Sequence, residues 1–225
     1  MKNGLKNGLT FALPKGTLFP DTVRLLYKAG FLKTEEVLLE SRKLVINDGP
    51  YTFIICRPTD IPTFVEHGAA DLGIVGKDVI EEQRREIFEL LDLKYGKCHF
   101  AVAAPKDNPK VHDLGKLTEV RAASKFPEVT RRFFKGLGVR AEVIKMHGNV
   151  ELAPLVGLAD VIVDLVSTGR TLRENNLIEI TKIMDITARL VANRVAARVY
   201  DREIKAIVKK FKSVVGGEKN EVNLK

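Results

Sequence analysis

Val161-Ile162-Val163-Asp164-Leu165-Val166-Ser167-Thr168-Gly169-Arg170-Thr171-Leu172 joins an apolar, β-branched run to a turn of hydroxylated residues and glycine, and then to the start of a helical pattern. The run reads as a buried strand reaching Asp164, with a helix entered near Leu172. Strand-turn-helix connections of this kind belong to α/β folds. Successive N–H groups in such a turn lack acceptors within the chain, and a helix N-terminus adds partial positive charge, so the stretch forms a cradle for a phosphate monoester. Ser and Thr hydroxyls extend the oxygen shell, and Asp164 is placed to hold sugar hydroxyls. A ribose 5-phosphate fits this combination. The local pattern describes an ordinary helix cap equally well.

The same succession of apolar run, turn and helix recurs outward from this stretch. Leu9–Leu13 reads as a strand, Pro14-Lys15-Gly16 as a turn, and Leu18–Ala29 as a helix with Val23, Leu25 and Leu26 at helical spacing. Thr52–Cys56, Leu72–Val75, Phe100–Ala104, Val120–Ala123 and Ala141–Lys145 read as further strands. Helices are expected near Ile61–His67, after Gly76-Lys77-Asp78, over Pro127–Leu137 and over Val150–Val156. This alternation implies parallel or mixed sheets flanked by helices. Leu93–Phe100 suits a crossover and Leu177–Leu190 a return. Two lobes are therefore expected: residues 1–97 with 184–225, and residues 98–183, which carry the phosphate loop.

Charged residues make up 29% and hydrophobic residues 45% of the 225 positions, the balance of a globular protein. No apolar run approaches the ~20 residues of a membrane helix, and the first ten residues lack an apolar signal core. The expectation is a cytoplasmic chain without a membrane partner. Cys56 and Cys98 fit no metal or disulfide pattern, and His67, His99, His112 and His147 have no ligand spacing, so no protein-held metal is expected. The net charge of +8 is concentrated between Arg189 and Lys212. There Ile204, Ile207, Val208, Phe211 and Val215 recur at helical spacing, leaving the basic residues on the opposite face. That face reads as solvated, as a subunit contact or as a nucleic-acid surface. The absence of Trp and an aromatic content of 7% weigh against base stacking, so nucleic acid is not an expected partner.

Gly148-Asn-Val-Glu-Leu-Ala-Pro154, Gly157-Leu-Ala-Asp160 and the 161–172 run together resemble the short form of the ATP phosphoribosyltransferase family. Ala12-Leu-Pro-Lys-Gly16, Arg57-Pro58, Asp60-Ile-Pro62, Gly68–Ile74, Gly76-Lys-Asp78, Ala101–Pro105 and Ser124–Pro127 match in order, so the resemblance spans roughly residues 9 to 190. It implies two α/β lobes with mixed sheets and a central cleft, like type II periplasmic binding proteins. It also implies transfer of the 5-phosphoribosyl group of 5-phosphoribosyl 1-pyrophosphate (PRPP) to N1 of the adenine of ATP. Pyrophosphate leaves, and histidine biosynthesis begins. Further implications are substrate-bound Mg²⁺, a homo-oligomer and a histidyl-tRNA-synthetase-like regulatory subunit, since the chain ends before the extra domain of long-form relatives. Competing classes are a small-molecule binding module of the same architecture and a scaffold built on the basic helix.

Adenine N1 already has a free lone pair, so alignment and leaving-group stabilisation should dominate over base catalysis. Lys15 is expected to meet the pyrophosphate, with Gly16 allowing close backbone approach. Asp164 or Glu151 would oppose positive charge on the ribose ring, and Ser167, Thr168, Gly169, Arg170 and Thr171 would hold the 5-phosphate. Arg57, Asp71 and Lys125 are the candidates for ATP. Plainer readings stand beside these: a loop lysine for Lys15, a surface ion pair for Arg57, a helix-end cap for Asp71 and a solvated side chain for Lys125. Where the family usually has Arg after Pro-Lys-Gly, this chain has Thr17. It also has Asn149 for the usual Ser and Ser124 for the commoner Thr.

Overall fold

The computed structural model describes the backbone of residues 8–221. The elements run β1 (Thr10–Pro14), α1 (Phe19–Lys28), α2 (Glu36–Leu39), β2 (Val45–Asp48), β3 (Tyr51–Cys56), α3 (Ile61–Glu66), β4 (Leu72–Gly76), α4 (Lys77–Gln83) and β5 (Ile87–Asp92). There follow β6 (Cys98–Pro105), β7 (Glu119–Ser124), α5 (Pro127–Gly136), β8 (Arg140–Lys145), α6 (Leu152–Leu155), β9 (Val161–Val166), α7 (Arg170–Glu174) and β10 (Leu177–Ile186). Last come β11 (Ala188–Asn193), α8 (Arg194–Val199) and α9 (Asp201–Glu221). The chain divides into two compact units, Met1–Gly96 with Thr187–Lys225 and Lys97–Ile186.

The first unit is built on a mixed sheet of order β2-β3-β1-β4-β11-β5. Strands β3, β1 and β4 run parallel, while β2, β11 and β5 are antiparallel to their neighbours. Every residue of β1 and β4 is buried, as central strands with both faces covered must be. Edge strand β2 instead alternates exposed and buried. The apolar face of α9 packs onto this unit, with Ile204, Ile207 and Phe211 buried and the Phe211 ring 4.9 Å from Phe31.

The second unit has a five-stranded sheet of order β10-β6-β9-β7-β8. Its parallel core is β8, β7 and β9, and the antiparallel pair β6 and β10 closes the other side. Successive residues of β9 serve opposite faces. Val161, Val163 and Leu165 join Phe100, Val102 and Phe134, whereas Ile162 and Val166 join Val150, Ala153 and Leu172 under α6 and α7.

Three local expectations are corrected. Leu177–Leu190 is not one returning segment but β10 and β11, strands of different sheets separated by Thr187. The helix over Val150–Val156 shrinks to Leu152–Leu155. Strand β9 runs past Asp164 to Val166, because Val166 still pairs with His99. Edge strands β2 and β5 escaped the sequence reading, their apolar patterns being short and half exposed. Gly49-Pro50, the two-residue loop between the paired Asp48 and Tyr51, with Gly49 at φ +56°, is the hairpin signal for β2.

Candidate active site

In the second unit the parallel strands bring their C-terminal ends to one edge. Lys125 follows β7 directly, and its Nζ lies 3.6 Å from Asp164 Oδ2. Asp164 shares the face of β9 that lies under α6 and α7, and its side chain is only 15% exposed. Burial pushes its carboxyl above the usual range and the nearby Glu151 adds to this. Hydrogen bonding from the Leu165 N–H and the charge of Lys125 oppose it. Glu151, at the start of α6, lines the same small cavity of about 180 Å³ as Asp164 and the 167–171 loop.

The loop is open and polar. Ser167, Thr168, Arg170 and Thr171 are exposed, and the flanking Val166 and Leu172 are buried anchors. Gly169 sits at φ +67° just ahead of α7, a left-handed conformation that favours glycine. The N–H groups of Thr168, Gly169 and Thr171 have no backbone acceptor among the described residues. The Arg170 N–H reaches Thr168 Oγ1 only at 3.4 Å. The helix dipole expected here contributes little. Helix α7 is a single five-residue turn, so the loop's own N–H groups carry the positive potential. Arg170 spends its charge on Glu174 at 2.7 Å, while Arg173, which the sequence reading passed over, donates from Nη1 to the Thr168 carbonyl at 3.0 Å.

The first unit has its own cationic edge. Strands β1 and β3 end side by side, with the Lys15 N–H donating to the Cys56 carbonyl at 2.8 Å. Lys15 and Arg57 thus follow neighbouring parallel strands. Both are exposed and neither has an ion-pair partner among the described residues. Gly16 at φ +98° makes the turn, and Thr17 is exposed beside it. Lys77, after the third parallel strand, is held by Glu81 at 2.9 Å and Glu89 at 2.7 Å.

Asp71 is placed differently from these residues. It is 1% exposed, and its Oδ2 accepts the Thr10 N–H at 2.9 Å, locking the start of β4 to the start of β1. Its setting is a clasp between the starts of two strands rather than a helix-end cap.

Comparison with known proteins follows the same line as the geometry. The family model described as HisG, ATP phosphoribosyltransferase, matches residues 57–213. The chain is 97% identical over 221 residues to the ATP phosphoribosyltransferase of Carboxydothermus hydrogenoformans, covering 98% of this chain and 100% of that one. Among solved structures it is similar to a chain of the ATP phosphoribosyl transferase (HisG:HisZ) complex from Thermotoga maritima. There the identity is 32% and the TM-score 0.78, over 93% of this chain and 99% of that one. The periplasmic aliphatic sulphonate binding protein SsuA from Escherichia coli matches with TM-score 0.58 at 10% identity, over 96% of this chain and 71% of that one. That likeness is of fold alone.

Proposed function

This chain belongs to the ATP phosphoribosyltransferase family, and we propose that its 167–171 loop holds the 5-phosphate of PRPP while the reaction of that family proceeds. The reaction transfers the 5-phosphoribosyl group of PRPP to N1 of the adenine of ATP, releases pyrophosphate and opens histidine biosynthesis. One observation carries the assignment of the loop: N–H groups without backbone acceptors among the described residues stand beside a largely buried carboxylate. A phosphate monoester takes the N–H groups, and Asp164 takes the ribose hydroxyls. As the anomeric C–O bond breaks, positive charge grows on the ring, and Asp164 with Glu151 opposes it. The charge of Lys125 favours the ionised form of Asp164, a role that its position supports better than contact with ATP.

Lys15 and Arg57 are assigned to substrate phosphates, Lys15 to the departing pyrophosphate. Neither has an ion-pair partner among the described residues, and both follow strands that end together. Asp71 is left out of the substrate contacts. Mg²⁺ carried by the pyrophosphate would screen its charge. Magnesium commonly keeps several waters and few protein ligands, so the substrate would supply most of the coordination. The enzyme is proposed to work in the cytoplasm; no helix among the described residues is long and apolar enough to cross a membrane. The chain is further proposed to form a homo-oligomer and to take feedback from a histidyl-tRNA-synthetase-like subunit, the Thermotoga relative being a HisG:HisZ complex.

Incubation with ATP, PRPP and Mg²⁺ should release pyrophosphate only when both substrates are present. Binding of PRPP without turnover would favour a binding module instead. Sedimentation and histidine inhibition of the purified chain, with and without the regulatory subunit, test the assembly. A strict monomer, or strong inhibition of the chain alone, would contradict it.

A further inference from the structure

We propose that Arg173 is a positioning residue that orients the Thr168–Gly169 peptide so that the Gly169 N–H faces the substrate phosphate. The inference rests on the reading of 167–171 as the 5-phosphate loop and adds a residue to it. Arg173 Nη1 donates to the Thr168 carbonyl at 3.0 Å. Among the described residues that carbonyl accepts no other hydrogen bond. In a planar trans peptide the C=O and the following N–H point in opposite directions, so holding one aims the other. The Thr168 carbonyl is drawn toward Arg173, and the Gly169 N–H is turned away from it.

The lock is needed because Gly169 makes the opposite orientation cheap. A peptide flip changes ψ of residue 168 and φ of residue 169, and glycine tolerates φ on either side of zero. Gly169 stands at φ +67°. A flipped peptide would present a carbonyl oxygen to the phosphate, replacing attraction by repulsion. Arg173 also fills the space beside Gly169: a Cβ there would lie 3.1 Å from Nη1. Arg170, the nearer cation in sequence, cannot substitute because it is turned to Glu174. Its fixed positive charge within one turn of the loop favours a dianion as well.

The test uses the full chain, with kinetics in both substrates and thermal unfolding, on Arg173→Met, Arg173→Lys and Gly169→Val. Arg173→Met should raise KM for PRPP roughly five- to tenfold, the loss of one charge-assisted hydrogen bond at an exposed site. KM for ATP should stay within about twofold, and Tm should be nearly unchanged. Arg173→Lys should recover part of the PRPP affinity, since an ammonium still reaches the carbonyl. Wild-type PRPP kinetics in Arg173→Met, with a large defect in Gly169→Val, would overturn the positioning role and leave the loop assignment standing. Equal changes for both substrates in Arg173→Met, or a lowered Tm without a PRPP effect, would make Arg173 merely structural. Unchanged PRPP kinetics in Gly169→Val would remove the loop assignment itself.

Discussion

The two units use one device twice and finish it differently. In each, a Gly-x-Ala-Asp sequence precedes a central parallel strand, and the carboxylate clasps the neighbouring strand. Asp71 exchanges hydrogen bonds with the Thr10 backbone, N–H to Oδ2 at 2.9 Å and Asp71 N–H to carbonyl at 2.9 Å. Asp160 does the same with Arg121 at 2.9 Å and 2.9 Å. After the strand the units part. Beyond β4 the turn is filled from within: Asp78 takes hydrogen bonds from Val79 and its own N–H, and a Cβ on Gly76 would lie 2.0 Å from its Oδ1. Beyond β9 no carboxylate folds back among the described residues, and the N–H groups of Thr168, Gly169 and Thr171 have no backbone acceptor there. The clasp is architecture. The turn that follows decides whether an anion site is occupied by the protein or left for a ligand.

The cationic edge of the first unit draws the same contrast between spent and available charge, and the largest expected effect lies there. Lys15→Ala should lower kcat roughly 100-fold under saturating substrates, about 3 kcal/mol of transition-state stabilisation. Lys77→Ala, whose charge is already spent on Glu81 and Glu89, should lower kcat by less than about threefold. Equal losses would erase the distinction, and wild-type kcat in Lys15→Ala would remove Lys15 from the mechanism.

Next in size is the loop. Thr168→Val should raise KM for PRPP about tenfold, near 1.5 kcal/mol for a lost polar contact to charge, with little change for ATP. A matching rise for ATP would mean that the loop is not dedicated to PRPP.

The two clasps differ in burial, so their removal should cost different amounts. Asp71→Ala leaves a buried N–H unsatisfied and should destabilise by about 2 kcal/mol. Asp160→Ala should cost nearer 1 kcal/mol, because its side chain is 31% exposed and water can replace it. Urea midpoints with m-values compare the pair. A larger loss at Asp160 would reverse the ranking of the clasps.

The smallest effect concerns Asp164. Its folded carboxyl is raised above its unfolded value, so ionising it disfavours the folded state. That cost is present above the folded pKa and gone below the unfolded one. Asp164→Asn should therefore raise Tm near neutral pH. The gain should vanish on acidification while activity falls throughout. A Tm gain that grows toward acid would contradict the stated sign.

Much of this was legible in the residues themselves. Apolar runs such as Val161–Val166 and Leu72–Val75 announced buried parallel strands, and Ser167-Thr168-Gly169 announced the open turn. What stayed hidden depends on tertiary partners. The clasp made by Asp71 is invisible in sequence, because nothing local shows that Thr10 lies opposite. Arg173 looks like a surface helix residue until the left-handed turn at Gly169 brings the Thr168 carbonyl under it. Edge strands β2 and β5 have too few buried positions to set a period.

The central claim is that the open turn after β9 holds the 5-phosphate, and phosphorus NMR of bound PRPP tests it at the atom concerned. The 5-phosphate and the pyrophosphate give separate resonances, so each spectrum carries its own control. Wild-type protein should perturb both, and Gly169→Val, at concentrations that still bind PRPP, should return the 5-phosphate resonance toward its free position while the pyrophosphate resonances stay perturbed. A 5-phosphate resonance displaced equally in wild type and Gly169→Val would place that phosphate elsewhere and contradict the account.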